Sequence, residues 1–207
     1  MTGVQTCALP IFLAADLTDK HNSILKTTGL QASAYFLATL HRAENTDNET
    51  RLKSILSALN QLSLQKPVVL PVHPRTIKKI KAFAMDYLTV NLKMIDPVSF
   101  LEMVALEKNA VLILTDSGGV QKEAYFHGIP CITLRYETEW IETVETGWNI
   151  LAGCDVNQIL EATKKRSQGT PILEYGTGTA ARKIIREVRL ALLTQPGVFP
   201  AQRLEII

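Results

Sequence analysis

Several things that would decide the class of a protein are scarce or missing in this one. There is no basic excess: 22 Lys+Arg stand against 20 Asp+Glu in 207 residues, a formal net charge of +2. A nucleic-acid binder carries a clustered positive surplus, so no nucleic-acid partner is expected. Cysteine is sparse. Cys7, Cys131 and Cys154 are an odd number with no metal-ligand spacing between them, which argues against a disulfide framework or a metal site and for a reducing compartment. No uncharged stretch approaches the roughly 20 apolar residues of a membrane-spanning helix. Met1 to Ala15 is uncharged but lacks the basic leader of a signal peptide, and Pro10 interrupts it. Internal repeats and low-complexity tracts are absent too. These absences predict a soluble, cytoplasmic protein without a membrane partner. What is present is an apolar content of 46%, ordinary for a packed globule.

From residue 35 onward short apolar runs alternate with helix-period segments. Strands are expected at 35–40, 67–72, 91–95, 110–114, 129–134 and 148–151. The first helix carries Leu52, Ile55, Leu56, Leu59 and Leu62 on one face, with Thr46 and Glu49 as an expected capping box. Further helices are expected over 77–87, 99–107, from the Ser117 turn to Gly128, and over 138–145, 157–166 and 179–193. On the last, Ala181, Ile184, Ile185, Val188 and Leu192 form an apolar stripe. Strand and helix alternating at this rhythm imply right-handed βαβ units. The fold class is therefore α/β, a doubly wound, Rossmann-like parallel sheet.

The usual strand order of such a sheet is 3-2-1-4-5-6, with ligands at the carboxyl ends where the order reverses. That order makes the first and fourth strands neighbours at the crossover. Their ends carry His41-Arg42 and Asp116-Ser117-Gly118-Gly119, the two most polar clusters in the chain. A Ser-Gly-Gly turn opening a helix offers backbone N–H groups and the positive helix end to an anion such as phosphate. It is neither a P-loop nor a G-x-G-x-x-G, so ATP and NAD fit poorly. A tight turn with a serine cap accounts for the same residues. Glu123, one turn into that helix, suits ribose hydroxyls or is simply a solvated helix residue. His41 is a phosphate contact, a proton shuttle or a structural loop residue. His73 and Arg75 end the next strand. Arg135, Glu137 and Glu139 add charge at the same rim. A nucleophilic mechanism has little support, since neither Cys nor Ser117 has a base in register.

Together these clusters resemble the non-hydrolysing UDP-N-acetylglucosamine 2-epimerase family. The matching stretches are His41-Arg42-Ala43-Glu44-Asn45, Pro71-Val72-His73-Pro74 and Thr115 through Ala124 (TDSGGVQKEA). Arg135-Tyr136-Glu137-Thr138-Glu139-Trp140 and Tyr175-Gly176-Thr177-Gly178 also correspond. The similarity runs in unbroken order from about Ser23 to Ile185. It implies one half of a two-domain, glycosyltransferase-B-like enzyme, the carboxyl-terminal, nucleotide-binding half. By the same resemblance Ser117, Gly118 and Gly119 grip the UDP diphosphate, Glu123 holds the ribose, Val98 and Met103 lie against the uracil, and His41 sits at the phosphates as the catalytic position. The implied reaction loses UDP to a glycal and adds it back with the C2 proton on the opposite face. No cofactor and no metal are implied. The carboxylates that move the proton belong to the missing amino-terminal domain, and the full-length enzyme is implied to be a homodimer.

The departures from the pattern are local. Trp140 stands where many members have arginine, a pattern similar to members acting on diacetamido-uronic acids. Tyr136 replaces a usual aspartate beside Arg135. Arg42, Arg135, Glu139 and Trp140 are therefore the candidate substrate rim. Ala43 and the His-Pro-Arg-Thr segment differ from members with allosteric substrate binding, so that regulation is not expected. Residues 1–11 match nothing and are expected to be a foreign or disordered leader. Residues 12–34 are expected to be a remnant linker or helix from the interdomain region, 35–193 the nucleotide-sugar-binding domain and 194–207 a tail. The half chain is expected to be inactive by itself. Two other readings are the donor half of a true glycosyltransferase and a stand-alone nucleotide-sugar sensor.

Overall fold

A computed structural model describes residues 23–165, 169–172, 175 and 180–194. The expectations for the leader and the tail, and the Tyr175-Gly-Thr-Gly match beyond Tyr175, lie outside the described residues. The chain divides into two compact units, 11–172 and 1–10 with 173–207.

In the larger unit the elements run α1 (Ser23–Thr28), β1 (Phe36–Thr39), α2 (Ala43–Thr46), α3 (Glu49–Ser63), β2 (Val68–Pro71) and α4 (Pro74–Ala82). A 3₁₀ turn follows over Asp86–Leu88. Then come β3 (Lys93–Ile95), α5 (Phe100–Lys108), β4 (Leu112–Thr115), α6 (Gly118–His127) and β5 (Cys131–Thr133). The unit ends with α7 (Ile141–Glu145), β6 (Asn149–Leu151) and α8 (Val156–Lys164). All strand pairs are parallel, in the order β3-β2-β1-β4-β5-β6. This is the doubly wound sheet expected from the alternation of elements. Of the second unit, α9 (Ala180–Thr194) is described, and its Ile184, Ile185 and Val188 are exposed.

Strand side chains alternate between two cores, as a sheet covered on both faces requires. Phe36, Ala38, Leu70 and Leu114 face one cluster, completed by Leu52, Ile55, Leu56, Leu59 and Leu62 of α3. Tyr35, Leu37, Val69 and Ile113 face the other, which Ala105 and Leu106 of α5 share with Ile24 and Leu25 of α1. The helix termini explain where the elements differ from expectation. Asn48, not Thr46, caps α3: its side chain accepts from the Arg51 N–H at 3.0 Å. Thr46 instead ends α2 and donates its hydroxyl to the Arg42 carbonyl. α4 begins three residues earlier than expected, because Pro74 suits the first helical position and His73 caps it. It stops at Ala82, before Ala84 at φ 53°. Ser99, the first residue of the helix expected over 99–107, is the cap of α5, reciprocally bonded with Glu102. Gly128 at φ 68° closes α6 in the left-handed conformation that glycine adopts most easily.

Candidate functional site at the sheet crossover

β1 and β4 lie side by side in register, Thr39 opposite Thr115, so their ends form the crevice where the strand order reverses. Asp116, fully buried, organises it. Its carboxylate accepts from the His41 and Arg42 N–H groups at 3.0–3.2 Å and from Asn45 Nδ2 at 3.3 Å. Asn45 donates also to the Leu134 carbonyl, which ties the ends of β1, β4 and β5 together. His41 Nδ1 lies 3.4 Å from Asp116 Oδ1 with its ring half exposed. The Thr39 and Thr115 hydroxyls meet at 2.5 Å, and Thr115 Oγ1 accepts from the Ser117 N–H. Asp116 lies within the TDSGG stretch, whose expected roles fall on Ser117, Gly118 and Gly119. An aspartate directly after a fully buried strand is the signal for such an organising carboxylate.

A cavity of about 280 Å³ opens at this crossover. It is lined by Thr39, Leu40 and His41 after β1, Pro71 and His73 after β2, Pro97 and Val98 after β3, Met103 of α5 and Val120 of α6. Three of the expected positions, His41, Val98 and Met103, thus share one chamber. Its wall is mostly apolar, fit for a flat ring. His73 joins them. Arg75 does not: it bonds Asp47, which Lys79 also contacts, on an exposed surface.

Ser117 caps α6, with its Oγ accepting from the Val120 N–H. The first N–H groups of the helix have no acceptor within it, so they and the helix dipole leave a positive pole beside the cavity. Gly118 sits under the rim. A Cβ there would lie 3.2 Å from Glu139 Oε2 and 3.5 Å from Trp140 Nε1. The Trp140 indole donates to the Gly118 carbonyl at 2.7 Å. Arg135, buried, donates to Glu139 with two nitrogens and to Glu44 with Nε. Glu139 in turn lies 3.9 Å from Arg42. Those hydrogen bonds hold Glu139 below the usual carboxylate range and raise Arg135. Arg42, Arg135 and Glu139 therefore form one connected cluster at the helix mouth, with Trp140 fastened beside it to Gly118.

Glu123 stands elsewhere. It does not line the cavity; it packs against Glu107 of α5 and His127 of α6. Burial pushes its carboxyl up to about 8, reinforced by the charge of Glu107. Glu107 is fully buried and burial pushes it up likewise, to about 8. His127, nearly as buried, places Nε2 3.6 Å from Glu107 Oε2, and desolvation lowers its basicity. Glu107 and His127 are invisible to motif reading, since only packing brings α5 and α6 together. Among the described residues no group of three or more His, Cys, Asp or Glu is arranged to hold a metal ion. Nor is any described helix long and apolar enough to cross a membrane.

Fold and site define an α/β domain of Rossmann-like design with an anion-receptive crevice at its crossover. The chain belongs to the UDP-N-acetylglucosamine 2-epimerase family, whose model matches residues 7–189. It is 45% identical over 182 residues to a UDP-N-acetylglucosamine 2-epimerase homolog of Methanococcus maripaludis, covering 85% of this chain and 50% of that protein. It is 48% identical over 155 residues to the UDP-2,3-diacetamido-2,3-dideoxy-D-glucuronate 2-epimerase of Pseudomonas aeruginosa, covering 72% and 43%. The crystal structure of the Methanocaldococcus jannaschii UDP-GlcNAc 2-epimerase in complex with UDP-GlcNAc and UDP superposes with a TM-score of 0.78 at 38% identity, covering 89% of this chain and 53% of that one. The chain spans about half the length of the curated relatives it matches.

Proposed function

We propose that this chain is the nucleotide-binding half of a UDP-N-acetylglucosamine 2-epimerase, an isomerase that interconverts UDP-GlcNAc and UDP-ManNAc. The observation that carries the reading is the apolar chamber beside the α6 mouth at the β1/β4 crossover, in a member of this family. Val98 and Met103 take the uracil, Ser117, Gly118 and Gly119 the diphosphate, and Glu123 the ribose. His41, steadied by Asp116, donates to the phosphates.

In the reaction the C2 proton leaves to a base while the C1–O bond to UDP breaks, giving a glycal and UDP. Re-addition of the UDP oxygen to C1 and return of a proton to the opposite face of C2 complete the epimerisation. Negative charge grows on the departing diphosphate, where the oriented N–H groups of α6 and His41 stabilise it. No oxidant, reductant or cofactor enters the balance. The proton carriers lie in an amino-terminal domain, and residues 35–193 form the nucleotide-sugar domain of a glycosyltransferase-B-like pair. The whole enzyme works as a cytoplasmic homodimer on this reading.

A second substrate, a UDP-diacetamido-uronic acid, is favoured by Trp140 at the rim and by the P. aeruginosa relative. Isothermal calorimetry with UDP tests the common element of both. Saturable binding is expected, and no heat at millimolar UDP overturns the proposal. With the whole enzyme, epimer formation from each UDP-sugar in the absence of any acceptor selects the substrate and separates an epimerase from a glycosyltransferase.

A further inference from the structure

The first four N–H groups of α6 are not equivalent. Those of Val120 and Gln121 are taken by Ser117, through its Oγ at 3.5 Å and its carbonyl at 3.2 Å. Those of Gly118 and Gly119 have no acceptor within the helix and point out of its end. The Gly119 N–H belongs to the same peptide group as the Gly118 carbonyl, and that carbonyl accepts the Trp140 indole N–H at 2.7 Å. The loop between β5 and α7 therefore grips the back of the peptide whose front is offered to an anion.

Trp140 is half-buried, yet each of its polar groups is tied down. Its N–H donates to the Thr138 hydroxyl at 3.0 Å, and that hydroxyl donates to Oε1 of the buried Gln121 at 2.6 Å. Asn149, buried as well, donates to the same Gln121 oxygen at 3.1 Å. The Trp140 carbonyl accepts from the N–H and the hydroxyl of Thr143 at 3.0 and 2.7 Å. The Lys122 ammonium, one turn past Gly118 on the same side of α6, lies 4.2 Å from the centroid of the Trp140 ring. The indole is thereby held in one orientation, with its donor aimed at one carbonyl.

We propose that Trp140 is a positioning residue for diphosphate binding: its indole N–H fixes and polarises the Gly118–Gly119 peptide, making the Gly119 N–H a stronger donor to the anion, while Thr138 and Gln121 form the seat that keeps the indole there. This rests on the reading that the α6 mouth receives the diphosphate. Hydrogen bonds in a chain strengthen one another, so a donor on the carbonyl and an acceptor on the N–H of one peptide reinforce each other. An N–H already oriented also costs no ordering when the ligand arrives. The same peptide meets the negative charge that grows on the departing UDP. The indole acts through the backbone and needs no contact with the ligand.

The test combines UDP calorimetry with the indole N–H resonance of Trp140 in the isotope-labelled chain, assigned through its own backbone. Trp140→Phe keeps a ring against Lys122 and removes the donor, and is expected to bind UDP about fivefold more weakly than wild type. Thr138→Val, which unseats the Trp140 N–H, is expected to bind about threefold more weakly, and Thr138→Ser, which keeps the hydroxyl, within about twofold of wild type. In the wild-type chain the Trp140 resonance is expected to move downfield as UDP saturates, because an anion on the Gly119 N–H makes the Gly118 carbonyl a better acceptor. That movement separates positioning from mere support of the fold, and it is read without any variant. A Trp140→Phe chain that binds within about twofold of wild type overturns the proposal, as does a Thr138→Val chain that binds like wild type. So does a Trp140 resonance that stays in place or moves upfield at saturating UDP. Absence of UDP binding by the wild-type chain is a different result: it overturns the nucleotide reading, and the positioning role with it.

Discussion

At the scale of single residues the crevice depends on groups buried behind its surface. Asp116 is the clearest. Replacing it with alanine strands the His41, Arg42 and Asn45 donors it now satisfies. Asp116→Ala is expected to lower unfolding free energy by about 3 kcal/mol in urea titrations, and to weaken UDP binding by releasing the His41 loop. Gly118 makes the opposite case. A methyl group there meets the ends of two side chains, Glu139 and Trp140, which can shift, so the fold tolerates it. The helix mouth does not, because the methyl occupies the approach to the N–H groups. Gly118→Ala is expected to cost at least about tenfold in UDP affinity, with a stability change below about 1 kcal/mol. Calorimetry and urea unfolding on the same preparation separate the two effects.

At the scale of elements, the α5–α6 pairing couples stability to pH. Both Glu107 and Glu123 lie near 8 in the fold against 4.5 for a free glutamate, so the unfolded chain releases these protons first. Their contribution is full below about 4.5 and is lost as pH rises through about 8. Urea midpoints are expected to fall across that range, and Glu107→Gln is expected to flatten the slope. The same pairing shows what sequence alone conveys about elements. Strand order and the α3 face were legible because they follow from apolar period and the handedness of βαβ units. The chemistry at the ends of β1 and β4 was legible because topology alone makes those ends meet. The cap of α3 was not: Thr46 and Asn48 both qualify, and the extra short turn of α2 decides between them. Within the linker or helix expected over 12–34, six residues carry too little periodicity to give α1 its bounds, although Ile24 and Leu25 bury against α5. The Glu107–Glu123–His127 cluster needs the packing of two helices, and no local pattern encodes that.

For the whole molecule, a complete sheet is not a complete catalyst. The α6 pole and the apolar chamber lie in this chain, which spans about half the length of the curated relatives it matches, and the proposed chemistry at C2 calls on carboxylates of the proposed amino-terminal domain. UDP-GlcNAc incubated with this chain alone is therefore expected to be recovered unchanged by chromatography, even where UDP binds. Epimer produced by the isolated chain would mean that its own side chains move the proton.

The indole of Trp140, hydrogen-bonded to the first carbonyl of α6, has a practical corollary. An indole's emission follows its polar surroundings, and this one is fastened to the helix turn that would receive the diphosphate. The chain's other tryptophan, Trp148, precedes β6 at the opposite, amino-terminal end of the sheet, its indole bonded to the Thr170 carbonyl. Substituting Trp148 with phenylalanine leaves one indole, at the mouth itself, which excitation to the red of the tyrosine band selects. Its emission is expected to shift when UDP is titrated, so that the proposed occupancy is read without any label.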